Sequence, residues 1–250
     1  MRKATKVRIM VLVAAAAILE TACRIGMIKP YSMIPPTQML MSLAKLFTVS
    51  GVISDMKQTL SAVVIALTAV LIIGFLAGAL LYAVPRLRRI VDPLLATYYS
   101  VPIFVFYPVF IVAFGLNAIP KTVIGFLYAL IAVVINTLNG LDRVPVVLWK
   151  TAKAHQLGNA STAVHIVLPC AAPYLFTGLK LAIAYAFIGV IGSEFILSSG
   201  GLGYRISFAY NNFQTDVMYA LMLFVLGIVI TVNMALYVWE RRLMKRRGER

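Results

Sequence analysis

Apolar residues in this chain gather in long runs rather than in short stripes, at roughly 7–24, 59–84, 100–115, 121–139, 171–197 and 217–239. A run of about 20 apolar residues, coiled as a helix, satisfies its own backbone hydrogen bonds and crosses the ~30 Å hydrocarbon core of a bilayer. The third run is the shortest and is interrupted by Pro102 and Pro108, which a bilayer tolerates where neighbouring helices re-satisfy the freed carbonyls. The first run, led by a basic start, reads as a retained span, because no small-x-small cleavage site followed by a polar mature start ends it. The pattern predicts an all-α polytopic membrane protein with six transmembrane helices.

The polar positions between the runs set the topology. Most Lys and Arg residues cluster at 2–8, 86–89, 143–153 and 241–250. These clusters flank span one, spans two and three, spans four and five, and span six, always on the same side. Basic loops stay cytoplasmic, so both termini are predicted inside. The other side has Lys121 and Arg205 in short loops, and Arg24, Lys29, Lys45 and Lys57 spread over a longer connection. In that connection Pro30, Pro35 and Pro36 predict an extended piece, followed by a short surface helix over 37–47. After the fifth span, the glycine-rich turn 198–203 leads into a short re-entrant or surface helix over 204–212. No internal repeat is visible, and residues 1–250 read as a single domain.

Composition narrows the function. The chain is 62% hydrophobic and 12% charged, whereas about a quarter of residues are charged in a globular domain. It has too little polar chemistry for a soluble enzyme. The net charge of +15 could suit nucleic acid, but its clusters are split by apolar spans and follow the positive-inside bias instead. Cys23 and Cys170 have no CxxC partner and read as packing residues. His155 and His165 lie far from other ligand types, so no metal and no cofactor are expected. No Gly-x4-Gly-Lys-Ser/Thr phosphate loop occurs, so the chain has no backbone cradle for ATP.

The connection between spans four and five, about 141–170, is long for a turn. It reads as two short helices, 145–156 and 161–168, the second closed by Pro169. Val146, Val147, Leu148, Trp149, Leu157, Val164 and Ile166 make it partly apolar outside the lipid, so something must cover it. Either a protein partner does so on the cytoplasmic side, or the loop lies on the membrane surface.

This loop resembles that of the permease subunits of ATP-binding-cassette importers. Their motif is Glu-Ala-Ala, three residues, Gly, nine residues, Ile-x-Leu-Pro. Anchored on Ile166-Val167-Leu168-Pro169, the motif's Gly falls on Gln156 and its Glu-Ala-Ala on Lys150-Thr151-Ala152. The spacing fits, while Lys150 and Gln156 depart; Gly158, two residues on, is the expected source of the missing flexibility. The likeness continues through Val91-Asp92-Pro93-Leu94, 102–115, Ala172-Pro173-Tyr174, Thr177-Gly178-Leu179-Lys180, 189–194, 199–204 and Thr215-Asp216. It is similar to the taurine, alkanesulfonate and nitrate branch.

The resemblance implies a permease subunit in the bacterial inner (plasma) membrane that forms a pathway for a small anionic solute. Its partners would be ATP-binding subunits, an extracytoplasmic solute-binding protein and a second copy of itself. The implied ATPase-coupling residues are Trp149, Lys150, Ala152, Gln156, Leu157, Gly158, Ile166, Leu168 and Pro169. A secondary transporter driven by an ion gradient, or a non-transporting scaffold, are the rival readings; the first lacks the paired repeats and intramembrane acids it would need.

Ionisable and polar groups inside spans mark pathways or structural pairs. Tyr107, Asn136, Ser193 and Glu194 are the candidates for the pathway. For Glu194 a structural hydrogen bond is the favoured reading over the pathway role, and for Asn136 with Asn139, three apart on one helix, bonding between helices is favoured. Glu20 is read as interfacial. Gly74 and Gly78 form a Gly-x-x-x-Gly step that allows close helix packing.

Overall fold

Without water to complete backbone hydrogen bonds, an apolar chain has to coil, and the computed structural model is helical throughout. It describes residues 3–98 and 100–246, with no strand among them. The order is α1 (Lys3–Arg24), α2 (Pro36–Lys45), α3 (Val52–Ala83), α4 (Pro85–Tyr98), α5 (Tyr107–Phe114), α6 (Ala118–Asp142), α7 (Val146–Ala154), α8 (Asn159–Thr162), α9 (Leu168–Ile196), α10 (Leu202–Asn211) and α11 (Thr215–Arg246). Tight 3-10 turns follow α2 and precede α5, and a π turn at Ala163–Val167 joins α8 to α9.

Among the described residues, four helical runs are long and apolar enough to cross a bilayer: Val52–Ala83, Ala118–Asp142, Asn159–Ile196 and Thr215–Arg242. A fifth candidate is a bent pair, α4 and the run Ile103–Phe114, turned by 93°. Pro108 occupies the first turn of α5, where a missing N–H costs no helical bond. The first predicted span is a 22-residue helix, but Arg8, Glu20 and Arg24 leave it more polar than the others. α3, at 32 residues, is about 48 Å long at 1.5 Å per residue, so it outruns the hydrocarbon core. The predicted surface helices appear as α2 and α10, each within two residues of its expected start.

The chain divides into two compact units, one made of residues 1–58 and 194–228, the other of 59–193 and 229–250. α3, α9 and α11 each contribute residues to both. In the first unit Leu46, Val52, Leu202, Ile206 and Leu221 form the core, and Phe47 meets Phe224 edge-on at 5.6 Å. Glu20 explains its own cost: Thr37 donates its N–H to Glu20 Oε2 at 3.0 Å and its hydroxyl to Oε1 at 2.8 Å. The carboxylate thereby caps the first turn of α2, whose N-cap Pro35 supplies no side-chain bond.

The second unit packs through small residues. A Cβ on Gly74 would lie 2.9 Å from Val133 Cβ, and one on Gly78 would lie 2.7 Å from Thr137 Cβ, so α3 lies flush on α6. A Cβ on Gly189 would lie 2.7 Å from the Cα of Gly125, which brings α9 and α6 into backbone contact. Around these crossings, Leu81 with Leu138 and Ile103 with Ile124 head separate apolar clusters. The Tyr98 hydroxyl donates to the Leu127 carbonyl at 2.8 Å and ties the bent arm to α6. Between α9 and α11, Lys180 Nζ meets Glu240 Oε2 at 2.7 Å and Phe176 meets Trp239 edge-on at 5.3 Å.

Candidate functional site

The loop after α6 is built from its ends inward. Arg88 grips Asp142, the last residue of α6, through both carboxylate oxygens at 2.7 Å. Arg143 stacks over the Tyr174 ring at 5.1 Å. Pro145 then sets the entry to α7, and Leu148 donates to its carbonyl at 3.0 Å. α7 turns Ala152 inward, 2% exposed, and leaves Val146 and Val147 at 68% and 69%.

The end of α7 decides how the loop motif works. Leu157 donates its N–H to the Ala152 carbonyl and Gln156 donates to that of Lys153, both at 3.0 Å. This paired closure requires a left-handed residue one place beyond the C-cap, and glycine is the usual occupant. Here Gln156 takes it, with φ +53°. The motif's glycine position is therefore a helix stop, and a residue with a Cβ fills it at a cost of about 1 kcal/mol. The expectation that Gly158 supplies the flexibility is corrected: Gly158 has φ −63° and ψ 158°, a conformation open to any residue. It precedes α8 as its N-cap, and a Cβ there would meet nothing within 4 Å.

A second correction concerns Pro169. It does not close a loop helix; residues 159–196 run on as one helical path. Proline cannot donate to the carbonyl of His165, four residues back. The π turn absorbs the missing donor, because Leu168 donates five residues back to the Ala163 carbonyl. Ile166 and Val167 pack with Leu141, Val144, Trp149 and Cys170, which is free and partly buried, as expected of a packing residue. Behind α7 lies an apolar cleft of about 540 Å³, lined among others by Phe75, Tyr82, Trp149, Ala152, Leu157 and Val167.

A helix projecting between two apolar spans, closed by a glycine-position stop and returned through Ile-x-Leu-Pro, is the feature by which relatives can be sought. The profile of the family described as "Binding-protein-dependent transport system inner membrane component" matches residues 70–249. The chain belongs to this family.

Among relatives of this permease component, the taurine transport system permease protein TauC of Escherichia coli (strain K12) is 27% identical over 237 residues, 92% of this chain and 85% of TauC. The nitrate import permease protein NrtB of Synechococcus elongatus is 27% identical over 173 residues, 68% of this chain and 62% of NrtB. A chain of the MetNI methionine ABC transporter, solved in inward-facing conformations, shares the fold with a TM-score of 0.59 at 19% identity, over 78% of this chain and 95% of that one.

The four pathway candidates of the permease component have separate surroundings. Tyr107 is 1% exposed and packs with Ile103 and Ile124. Ser193 donates to the Gly189 carbonyl of its own helix. Asn136 donates to the Ala132 carbonyl at 2.7 Å, also within its helix, and borders a cavity of about 140 Å³ with Thr137 and Gly178. Asn139 is exposed on α6. Glu194 is fully buried and accepts the Gly203 N–H at 3.0 Å. Of the two roles open from the sequence, the geometry carries the hydrogen-bonded one: the carboxylate lies on the N-terminus of α10, where free N–H groups and the helix dipole favour negative charge.

Sequence reasoning missed Asp55 altogether and noted Gly201 and Arg205 only for the turn and the charge pattern. Asp55 accepts the Gly201 N–H at 2.9 Å and pairs with Arg205, which also donates to the Ser50 carbonyl at 3.0 Å. Gly201 makes the turn at φ +108° and ψ 171°, a region glycine alone populates. A Cβ there would fall 2.1 Å from Glu194 Oε1. The signal available was a carboxylate one helical turn ahead of an apolar run and a glycine cluster awaiting an anion.

Proposed function

We propose that the chain, as one permease domain over 1–250, forms the translocation pathway of an ATP-driven importer for a small anionic solute, similar to taurine, sulfonate or nitrate. It has six spans, with α1 and the bent arm completing the set, and both termini are cytoplasmic. It works as a homodimer with separate ATPase subunits and an extracytoplasmic solute-binding protein; the dimer is taken from the family resemblance. The names of TauC and NrtB support the solute class, and the basic clusters support the orientation.

The observation that carries this reading is α7. It presents exposed Val146 and Val147 on a helix whose far side is locked into the cleft by Trp149 and Ala152, and whose end is closed by backbone bonds. Such a helix transmits a push as a rigid body, and the π turn hands it directly to α9. The coupling loop is about 141–170, with Trp149, Ala152, Leu157, Ile166, Leu168 and Pro169 holding its shape and Lys150 facing the partner. Binding-protein docking and ATP-driven closure then favour one orientation of the spans, and hydrolysis resets it.

Reconstitution tests this. In liposomes holding the chain and its ATPase subunit, ATP hydrolysis should rise when solute-loaded binding protein is added, and Trp149→Ala should uncouple hydrolysis from uptake. An ATPase rate indifferent to the presence of this chain would overturn the reading.

A further inference from the structure

From Arg143 to Ser193 the sequence contains no Asp or Glu, yet it carries Arg143, Lys150, Lys153 and Lys180. Two of these cations are accounted for: Arg143 lies over Tyr174, and Lys180 pairs with Glu240. Lys150 and Lys153 are exposed, and neither forms an ion pair among the described residues. On a helix of 3.6 residues per turn, Val146, Lys150 and Lys153 follow at i, i+4 and i+7 and share one stripe. Trp149 and Ala152 line the cleft, and Lys153, four residues after Trp149, lies at its rim, so Lys150 is the cation turned furthest from it. The face that α7 offers is thus apolar at its first turn and doubly cationic at its second.

We infer that the groove receiving α7 on the ATPase subunit carries carboxylates opposite Lys150 and Lys153, next to an apolar seat for Val146 and Val147. This rests on the importer reading above. Two ammonium groups pressed against a neutral or basic groove would lose hydration without compensation, whereas a complementary acidic groove steers encounter and fixes register. Charge also selects the partner. An ATPase subunit shaped for a permease with Glu at the position of Lys150 would meet a like charge here and be rejected, so this pair excludes ATPase subunits matched to the unmodified motif.

The test uses the full chain in complex with the ATPase subunit that co-purifies with it from membranes. Binding of that subunit should weaken as salt rises, because the contact is partly between screened charges. Lys150→Glu should weaken it on the order of tenfold at low salt, Lys150→Gln should fall between, and exchanging a groove carboxylate for Lys should restore the Glu variant. An unchanged unfolding temperature for Lys150→Glu establishes that the variant is folded. Equal or tighter binding by the Glu variant would overturn the inference, as would a loss seen only in anionic-lipid nanodiscs and not in neutral ones, since the cations would then serve headgroups. Failure of any ATPase subunit to bind the unaltered chain would instead sink the importer reading itself.

Discussion

At α10 a short helix is fixed by charge, and at α7 a short helix is fixed without it. The N-terminus of α10 is held by two buried carboxylates, Glu194 on the Gly203 N–H and Asp55 on the Gly201 N–H, with Arg205 balancing Asp55. α7 is closed at its C-terminus by its own backbone and pressed to its neighbours by Trp149, Val144 and Val167. The chain has only 8 acidic residues, so where they fall matters. Three of them, Glu20, Asp55 and Glu194, bond to first-turn or preceding N–H groups of short helices. The acid nearest to α7 in sequence, Asp142, is taken up by Arg88, and Lys150 and Lys153 on α7 are exposed. Acids here hold structure, several of them with a cation as partner, while Lys150 and Lys153 form no ion pair among the described residues.

Several changes break or sharpen that contrast. Gly201→Ala should be the most damaging, because it forces a side chain into a glycine-only conformation and onto Glu194; about 3 kcal/mol is expected, read as a large fall in unfolding temperature in detergent. Glu194→Ala should cost about 2 kcal/mol by stranding a buried N–H, with Glu194→Gln costing less because it still accepts; equal losses would mean the charge and not the hydrogen bond is at work. At α7 the sign reverses: Gln156→Gly should raise stability by up to about 1 kcal/mol, since glycine relieves the left-handed strain, while leaving the helix stop in place. Gly158→Ser should stay within about 0.5 kcal/mol of the parent, as serine suits an N-cap with ordinary backbone angles. If Gly158→Ser were as harmful as Gly201→Ala, the hinge would lie at 158 after all.

Much of this was legible in the apolar pattern. The short helices α2 and α10 emerge where proline and glycine punctuation places them, and the spacing anchored on Ile166 to Pro169 puts the motif's glycine position on Gln156, the left-handed residue that ends α7. Three features were not legible, each for a physical reason. Pro169 reads locally as a helix stop, and only a π turn, whose bond runs one residue further back, lets the helix pass through it. Gln156 has poor left-handed propensity, so the flexibility of the motif's glycine is looked for at Gly158, whose backbone angles need no glycine. The role of Glu194 depends on a turn nine residues later folding back on it, and that of Asp55 on α3 starting at Val52 rather than at the edge of the apolar run. Long-range closure of this kind leaves no periodic trace.

The central claim is that α7 is seated in a separate ATPase subunit. A photo-crosslinking residue at Val147, in the complete complex within its membrane, tests it most directly. The account predicts a crosslink to the ATPase subunit that is absent when the same probe replaces Tyr210 in α10; crosslinks from Val147 to lipid alone would contradict it.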